Sequence, residues 1–432
     1  MQQKIKEEAI PFTSYQKLVI ALLALLQFSV ILDFMVLSPL SDILMKSLTI
    51  KPAQFGAVVS GYAFSAAISG ILTAGFADKY DRKKILLFFY VGFLGGTLFC
   101  GLAQTYEQLL AARIITGLFG GVIGSISMAI VTDLFKINQR GRVMSFIQMA
   151  FAGSQVLGIP IGLLLATQWD WHAPFLMIVA FATILGVVVW IKLKPVDEHL
   201  AHQSSKNVFQ HLWHTVSNKT YRVAFLATAF LATGGFMLMP FGSAFLVNNV
   251  HISQEQLPLI FMITGIGSIF IMPIIGKLSD KVDKFKIFAY GSLWGMLMVI
   301  IYTHLGVFPL WGIIVINVLM FMGIMSRMIP ATAIVSAIPD MKDRGAFMSI
   351  NASLQQMAGG VAAVFAGLVV VQQSPTSPLE HYDTLGYIVS VTMIVCIFLV
   401  YRVSKLMKDK HKEHEPVTVA DELVAEQVLP AE

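Results

Sequence analysis

Three ionisable side chains stand inside long apolar runs of this 432-residue chain: Asp33, Arg113 and Arg327. Asp33 lies in Ile31-Leu32-Asp33-Phe34-Met35. A carboxylate in such a setting costs about 2.5–3.5 kcal/mol on insertion scales, so it is expected to face other protein and to serve a function. Pro39 marks one end of this run, and at about 1.5 Å per residue Asp33 falls about 9 Å short of it. Arg113 follows Glu107 by the same interval in a run of opposite direction. The two opposite charges are therefore expected at one depth, and they can pair if their helices adjoin. A paired carboxylate beside a cavity that opens and closes can take up and release a proton. Each proton entering down about 100 mV supplies about 2.3 kcal/mol. A static structural ion pair is the alternative reading. Arg327 stands two residues ahead of Ile329-Pro330, and three roles remain open for it. It can receive an anionic substrate group, bond a carbonyl freed by Pro330, or pair with Asp33.

The elements that must hold these groups follow from composition. Hydrophobic residues make up 56% of the chain and charged residues 13%, with a mean hydropathy of +0.74. A soluble domain carries about 25% charge, so a soluble enzyme, a nucleic-acid binder and a disordered chain are excluded. A helix needs about 20 apolar residues to cross a bilayer. Such runs lie near 17–39, 54–76, 85–104, 107–132, 143–166 and 173–193, then near 223–247, 257–276, 287–305, 309–331, 346–371 and 385–405. The expected fold is an all-α membrane protein of twelve transmembrane helices in two six-helix halves. Residues 1–16 form an N-terminal arm, 17–193 the first bundle, 194–222 a linker, 223–405 the second bundle and 406–432 a disordered tail.

Lys and Arg fix the expected orientation. If the N-terminus is cytoplasmic, 26 of the 30 basic residues fall on that side, and only Lys46 and Lys51 fall in outward loops. This bias places both termini in the cytoplasm, and the short loops suit a bacterial inner membrane. A retained first helix is expected, because no small-residue cleavage site follows the first run. Cys100 and Cys396 sit in apolar runs and read as buried thiols. No metal or cofactor is expected. His199, His202, His211 and His214 in the linker are weighed as a metal site, but Val208, Phe209, Leu212, Trp213 and Val216 follow helical spacing and read better as an amphipathic helix on the inner membrane surface.

The halves repeat one another. Asp78-Lys79-Tyr80-Asp81-Arg82 after span 2 matches Asp280-Lys281-Val282-Asp283-Lys284 after span 8, and Arg140-Gly141 after span 4 matches Arg344-Gly345 after span 10. Parallel repeats of this kind place a substrate site near the bilayer midplane, between the halves.

At these residues the chain resembles the major facilitator superfamily over essentially its whole length, and within it the twelve-helix drug/proton antiporter and sugar-efflux branch. The family's 2–3 loop reads G-x-L-A-D-R-x-G-R-K. Here Asp78, Arg82 and Lys83 match, while Ala74 and Asp81 replace the glycines. The resemblance implies a conformational latch built from Asp78, Arg82, Lys83, Asp280 and Lys284. The helix-4 pattern L-x-x-x-R-x-x-x-G is met by Leu109, Arg113 and Gly117, which implies a link between Arg113 and proton transfer. Span 5 carries Gly153, Gly158, Pro160 and Gly162, close to the family's antiporter pattern G-x-x-x-G-P-x-x-G-G but with one extra residue between the first two glycines and Ile159 ahead of Pro160. That pattern marks exporters, with close helix packing as the bland alternative. Gly117, Gly120, Gly121 and Gly124 in span 4 read as packing glycines.

Gln148 and Gln155 share one face of span 5, and Asn351 and Gln355 one face of span 11. With Asn317 in span 10 they are candidates to line a substrate cavity or to bond between helices. The leading expectation is a monomeric secondary transporter in the lipid bilayer that exports small amphipathic organic compounds or drugs against protons by alternating access, without nucleic acid. A proton-coupled uptake symporter of a small metabolite or sugar is the alternative. A membrane-embedded lipid-handling enzyme or a non-transporting receptor is the remote one.

Overall fold

The computed structural model describes residues 11–74, 77–198, 200, 208–340 and 343–413. Residues 1–10 of the expected N-terminal arm, residues 414–432 of the expected tail, His199 and His202 lie outside these residues, whereas 406–413, expected in the disordered tail, continue the last helix. Among the described residues, twelve helices are long and apolar enough to cross a bilayer. The chain is a multi-pass membrane protein.

Helix boundaries follow local hydrogen-bonding chemistry. The first span is α1, Ser14–Val36, opened by a capping box in which Thr13 and Gln16 satisfy each other's backbone N–H groups. A short α2, Ser41–Ser47, follows at the far end, and α3, Pro52–Ala74, returns. Next come α4, Arg82–Cys100, and α5, Tyr106–Leu134, N-capped by Asp81 and Thr105. The fifth span is one continuous rod in three pieces: α6, Ile137–Gly153; a π-helical turn, Ser154–Gly158; and α7, Ile159–Gln168. Helix α8, Ala173–Lys192, completes the N half. The linker contains α9, Val208–Ser217, whose Leu212 and Thr215 are buried while Trp213 is 74% exposed.

The C half repeats the plan. Helix α10, Lys219–Leu238, leads into a short α11, Gly242–Asn248, the counterpart of α2. Then come α12, Leu257–Lys281; α13, Lys284–Thr303; α14, Leu310–Ser336; α15, Arg344–Val369; and α16, Tyr382–Glu413. Asp283 caps α13 as Asp81 caps α4, at the equivalent repeat position.

With no hydrophobic drive between helices in lipid, close association relies on small residues. Helix α3 lies along α15, and a Cβ on Gly56 would stand 2.6 Å from the Ala363 carbonyl oxygen. Helix α12 crosses the fifth span so closely that a Cβ on Gly265 would meet the Gln155 carbonyl oxygen at 3.0 Å. These two contacts join the halves.

The face carrying the charged 2–3 and 8–9 loops is called the basic face below. At the opposite face the halves are locked by α2 and α11. Ala244 N–H donates to Ser41 Oγ at 3.2 Å, and Asp42 accepts from Asn248 Nδ2 and Gln254 Nε2, each at 2.6 Å. Lys46 completes the hub at 2.8 Å, and Phe55 meets Phe241 beside it with ring centroids 5.9 Å apart. Asp42 is 1% exposed. The opposite face is closed.

Candidate functional site

Asp33 and Arg113 are both fully buried, and Arg113 Nη1 donates to Asp33 Oδ2 at 2.7 Å. The equal depth read from the sequence therefore corresponds to contact between α1 and α5. Thr97 of α4 donates its hydroxyl to the other carboxylate oxygen at 3.1 Å, so three helices of the N half converge on one carboxylate. The guanidinium also lies 4.6 Å from the Tyr62 ring centroid, a cation–π contact. Its Nε and Nη2 find no hydrogen-bond partner among the described residues. Such a group is held strongly in place yet keeps donors in reserve.

The pair sits beside the division between the halves. Phe34, next in chain to Asp33, packs on Tyr62 of α3 and on Phe236 of α10, with centroids 5.1 and 5.8 Å apart. A change in the pair can thus be felt across the interface through one aromatic step. Thr97, Tyr62 and Phe236 carried no signal that sets them apart from other hydroxyls and rings in apolar runs.

The fifth-span pattern packs against α1 one turn at a time. Ser154 Oγ donates to the Phe28 carbonyl at 3.3 Å, a Cβ on Gly158 would overlap the Leu32 side chain, and one on Gly162 would stand 2.9 Å from Val36 Cγ2. The stripes 154/158/162 and 28/32/36 advance together, which brings the glycines against the residue beside Asp33. The extra residue of this pattern is taken up by the π-turn, in which Ile159 N–H reaches back to the Ser154 carbonyl. Pro160, having no N–H, cannot complete an ordinary turn there. A Cβ on Gly153 would stand 3.5 Å from the Phe28 ring, an ordinary contact. The span-4 glycines also pack: Gly117 lies against Tyr62 and Ser65 of α3, Gly121 against Ala66.

The basic-face loops repeat in detail. Arg82 Nη1 donates to the Ala77 carbonyl at 3.2 Å, and Lys284 Nζ to the Ser279 carbonyl at 3.2 Å, the same five-residue reach in each half. Arg82 also pairs with Asp133 of α5 at 3.1 Å. Asp78 is in a short 3-10 turn, Ala77–Lys79, and Asp280 is exposed. Among the acids of these loops whose side chains are described, Asp81 and Asp283 bind neighbours. Asp81 Oδ1 accepts Lys83 N–H at 2.8 Å and Val196 N–H of the linker at 3.0 Å. Asp283 accepts Phe285 and Lys286 N–H and pairs with Lys408 of α16 at 2.6 Å. The Lys408 bond, aided by those N–H groups, holds the Asp283 carboxyl below the usual carboxylate range.

The candidate cavity residues separate. Asn351 and Gln355 line a cavity of about 150 Å³ between α10, α14 and α15, shared with Thr228, Leu231 and Thr332. Gln148 is exposed, and Gln155 is half-buried at the α12 crossing. Asn317 donates to the Ile313 carbonyl of its own helix at 3.0 Å. Arg327 is 4% exposed and bonds Ser292 Oγ at 3.2 Å, so the alternative pairing with Asp33 does not occur. A second, wholly apolar hollow of about 170 Å³ lies between α1, the fifth span and α8, lined by Phe28, Leu157 and Phe181 among others.

Comparison with known proteins agrees with this architecture. The family model described as Major Facilitator Superfamily matches residues 23–363 and, in a second match, 224–428. The "Uncharacterized MFS-type transporter YceJ" of Bacillus subtilis (strain 168) is 28% identical over 280 residues, covering 64% of this chain and 70% of the relative. The "Probable sugar efflux transporter" of Helicobacter pylori (strain G27) is 22% identical over 258 residues, covering 60% and 64%. Among solved structures, the nucleoside transporter NupG superposes with a TM-score of 0.72 at 15% identity, covering 90% of this chain and 99% of that one. With its repeated six-helix halves, its matching loops and this full-length fold, the chain belongs to the Major Facilitator Superfamily and is a transporter, not an enzyme.

Proposed function

We propose that this transporter is an exporter of small amphipathic organic compounds, driven by proton entry through the Asp33–Arg113 pair in alternating access. The observation that carries the reading is a carboxylate with no exposure whose only charged partner among the described residues is Arg113, at 2.7 Å. Protonation of Asp33 removes the anion from this pair and leaves a buried guanidinium uncompensated, which is costly. The cost is relieved when the site opens to water or a ligand, so proton occupancy and conformation are coupled. The basic face is assigned to the cytoplasm from the bias of Lys and Arg. The conformer closed by Asp42, Asn248 and Gln254 is then sealed to the outside and ready to load from within. The antiporter-like stripe of the fifth span, packed on α1 beside Asp33, supports export over uptake. The repeated basic-face anchors, Arg82 and Asp81 in one half and Lys284 and Asp283 in the other, are the parts expected to rearrange when that face closes.

The test is transport of a panel of amphipathic compounds in proteoliposomes with an imposed pH gradient. Asp33→Asn is expected to abolish gradient-driven accumulation while substrate exchange across the membrane persists. Full proton coupling in that variant would sink the proposal.

A further inference from the structure

We infer that the cavity between α10, α14 and α15 is a subsite for an uncharged compound that carries hydroxyl or amide N–H donors beside an apolar group. The inference rests on the transport reading above and names the substrate class that the C half accepts.

The lining sorts the occupants by charge and by hydrogen bonding. No Asp, Glu, Lys, Arg or His is among the residues around the cavity. A charged compound entering it would give up hydration and meet no counter-charge. The polar groups of the walls leave acceptors unused. On α14, Thr332 donates its hydroxyl to the Met328 carbonyl at 2.8 Å and Ser336 donates to the Ala333 carbonyl at 3.1 Å. Both hydroxyl protons are thereby committed, and what remains is lone pairs. On α15, Asn351 Oδ1 is buried without a partner. Such an acceptor is costly until a donor reaches it. Gln355 lines the same wall one turn further on. The rest of the surface is apolar, with Leu231, Val335 and the two thioethers Met328 and Met348, which adapt readily to a neighbour's shape. At about 150 Å³ the space falls below the range of about 300–1,000 Å³ that takes a whole drug-sized molecule. It suits one ring or one short branched group of a substrate.

The position suits loading. Helix α14 ends at Ser336 and α15 begins at Arg344, so Ser336 and Met348 mark the end of the cavity nearer the basic face. Thr332 is exposed and Met348 is 42% exposed, so the walls reach open surface. The N half borders the site: a Cβ on Gly70 of α3 would stand 3.0 Å from Ser353 Oγ, the residue after Ala352 of the lining. With the opposite face closed by the Asp42 hub, an occupant arrives from the basic face.

The experiment follows maleimide labelling of Met348→Cys in the full-length protein in detergent, where both native thiols are buried. The probes share one skeleton: 1-phenyl-1,2-ethanediol, its dimethyl ether, mandelate, and 2-amino-1-phenylethanol, a cation at about pH 7. The diol is expected to slow labelling, and the ether, the anion and the cation are not. Asn351→Leu is expected to weaken protection by the diol about tenfold, the loss of one hydrogen bond. Asn351→Asp, which places a carboxylate in the wall, is expected to make the cation protective. A merely structural Asn351 would alter stability and leave the ranking of the probes unchanged. Equal protection by the ether or by either charged compound in the Asn351 protein overturns the proposal, as does unchanged protection by the diol in Asn351→Leu. If Asn351→Leu does not fold, Asn351→Asp alone decides, and an unchanged ranking in it overturns the proposal. The assay needs no pH gradient, so it is read independently of the coupling test on Asp33. Protection by the diol with failed coupling keeps the subsite and removes the proton drive, and intact coupling without protection does the reverse.

Discussion

The lock at the opposite face gives the most direct handle on the conformational equilibrium. Asp42→Ala removes two hydrogen bonds that cross between halves, from Asn248 and Gln254, and the pair with Lys46 inside the N half. Hydrogen bonds to a charged group contribute about 1.5–3 kcal/mol each after exchange with water. The lower figure is appropriate here, because Asn248 keeps a second acceptor in the Ala244 carbonyl at 3.0 Å and Lys46 is already partly exposed. The crossing bonds then account for about 3 kcal/mol of the closed state, or about 150-fold in the opening equilibrium. The assay is labelling of Ala244→Cys by a membrane-impermeant maleimide applied from outside. Both native thiols are buried, so background is low. Labelling is expected to rise about 150-fold in Asp42→Ala and less in Asp42→Asn, which keeps one acceptor oxygen but not the charge. Labelling of a cysteine at exposed Lys51, on the same face as the hub, serves as the control and is expected to stay constant. An unchanged rate at Ala244→Cys in the Asp42→Ala background would refute the idea that this hub holds the outer gate.

Other consequences are as readily measured. Asp283 is held below the usual carboxylate range by Lys408, so its contribution to stability is present above the ordinary value of about 4 and is lost as pH falls through the lower folded value. The difference in unfolding midpoint between wild type and Asp283→Ala is expected to be constant from about pH 8 to about pH 5 and to shrink only in stronger acid. Gly265→Val forces a side chain into the Gln155 carbonyl, where overpacking costs about 1–3 kcal/mol. It is expected to slow transport while leaving membrane insertion intact, as read by flux in proteoliposomes alongside surface expression. Transport at the wild-type rate would show that the halves do not need this close crossing.

How much of this was legible beforehand depended on the kind of signal. The twelve helices were, because bilayer thickness fixes a minimum apolar length and the chain offers few charges to blur it. The equal depth of Asp33 and Arg113 was, because depth in a straight helix is proportional to residue count, but their contact was not, because nothing local shows that α1 and α5 adjoin. Thr97 was not. Hydroxyls in apolar helices usually bond their own backbone, as Thr116 does to Ala112, and only the fold shows which one turns to a carboxylate. Asp42 looked like an edge charge beyond Pro39, since nothing local reveals that α11 crosses it. In the charged loops attention fell on Asp78 and Asp280, the first acids of the repeated pattern. The cap geometry favours Asp81 and Asp283, one residue ahead of α4 and α13, where a carboxylate reaches free N–H groups. Gln148, Gln155 and Asn317 share residue type with Asn351 and Gln355, but helix rotation decides which amides meet a cavity.

The widened turn at Ser154–Gly158 separates residue count from orientation. In a regular helix each added residue turns everything beyond it by about 100°. Here the surplus residue is absorbed locally, so Gly158 and Gly162 stay in phase with Leu32 and Val36. Deleting one residue from the turn would leave that phase intact. Straightening the turn at full length would swing both glycines off α1 and drive bulkier neighbours into it. The fifth span thus has a built-in choice of register, and torsion applied to its basic-face half can be taken up in the turn without unpacking the glycines beside Asp33.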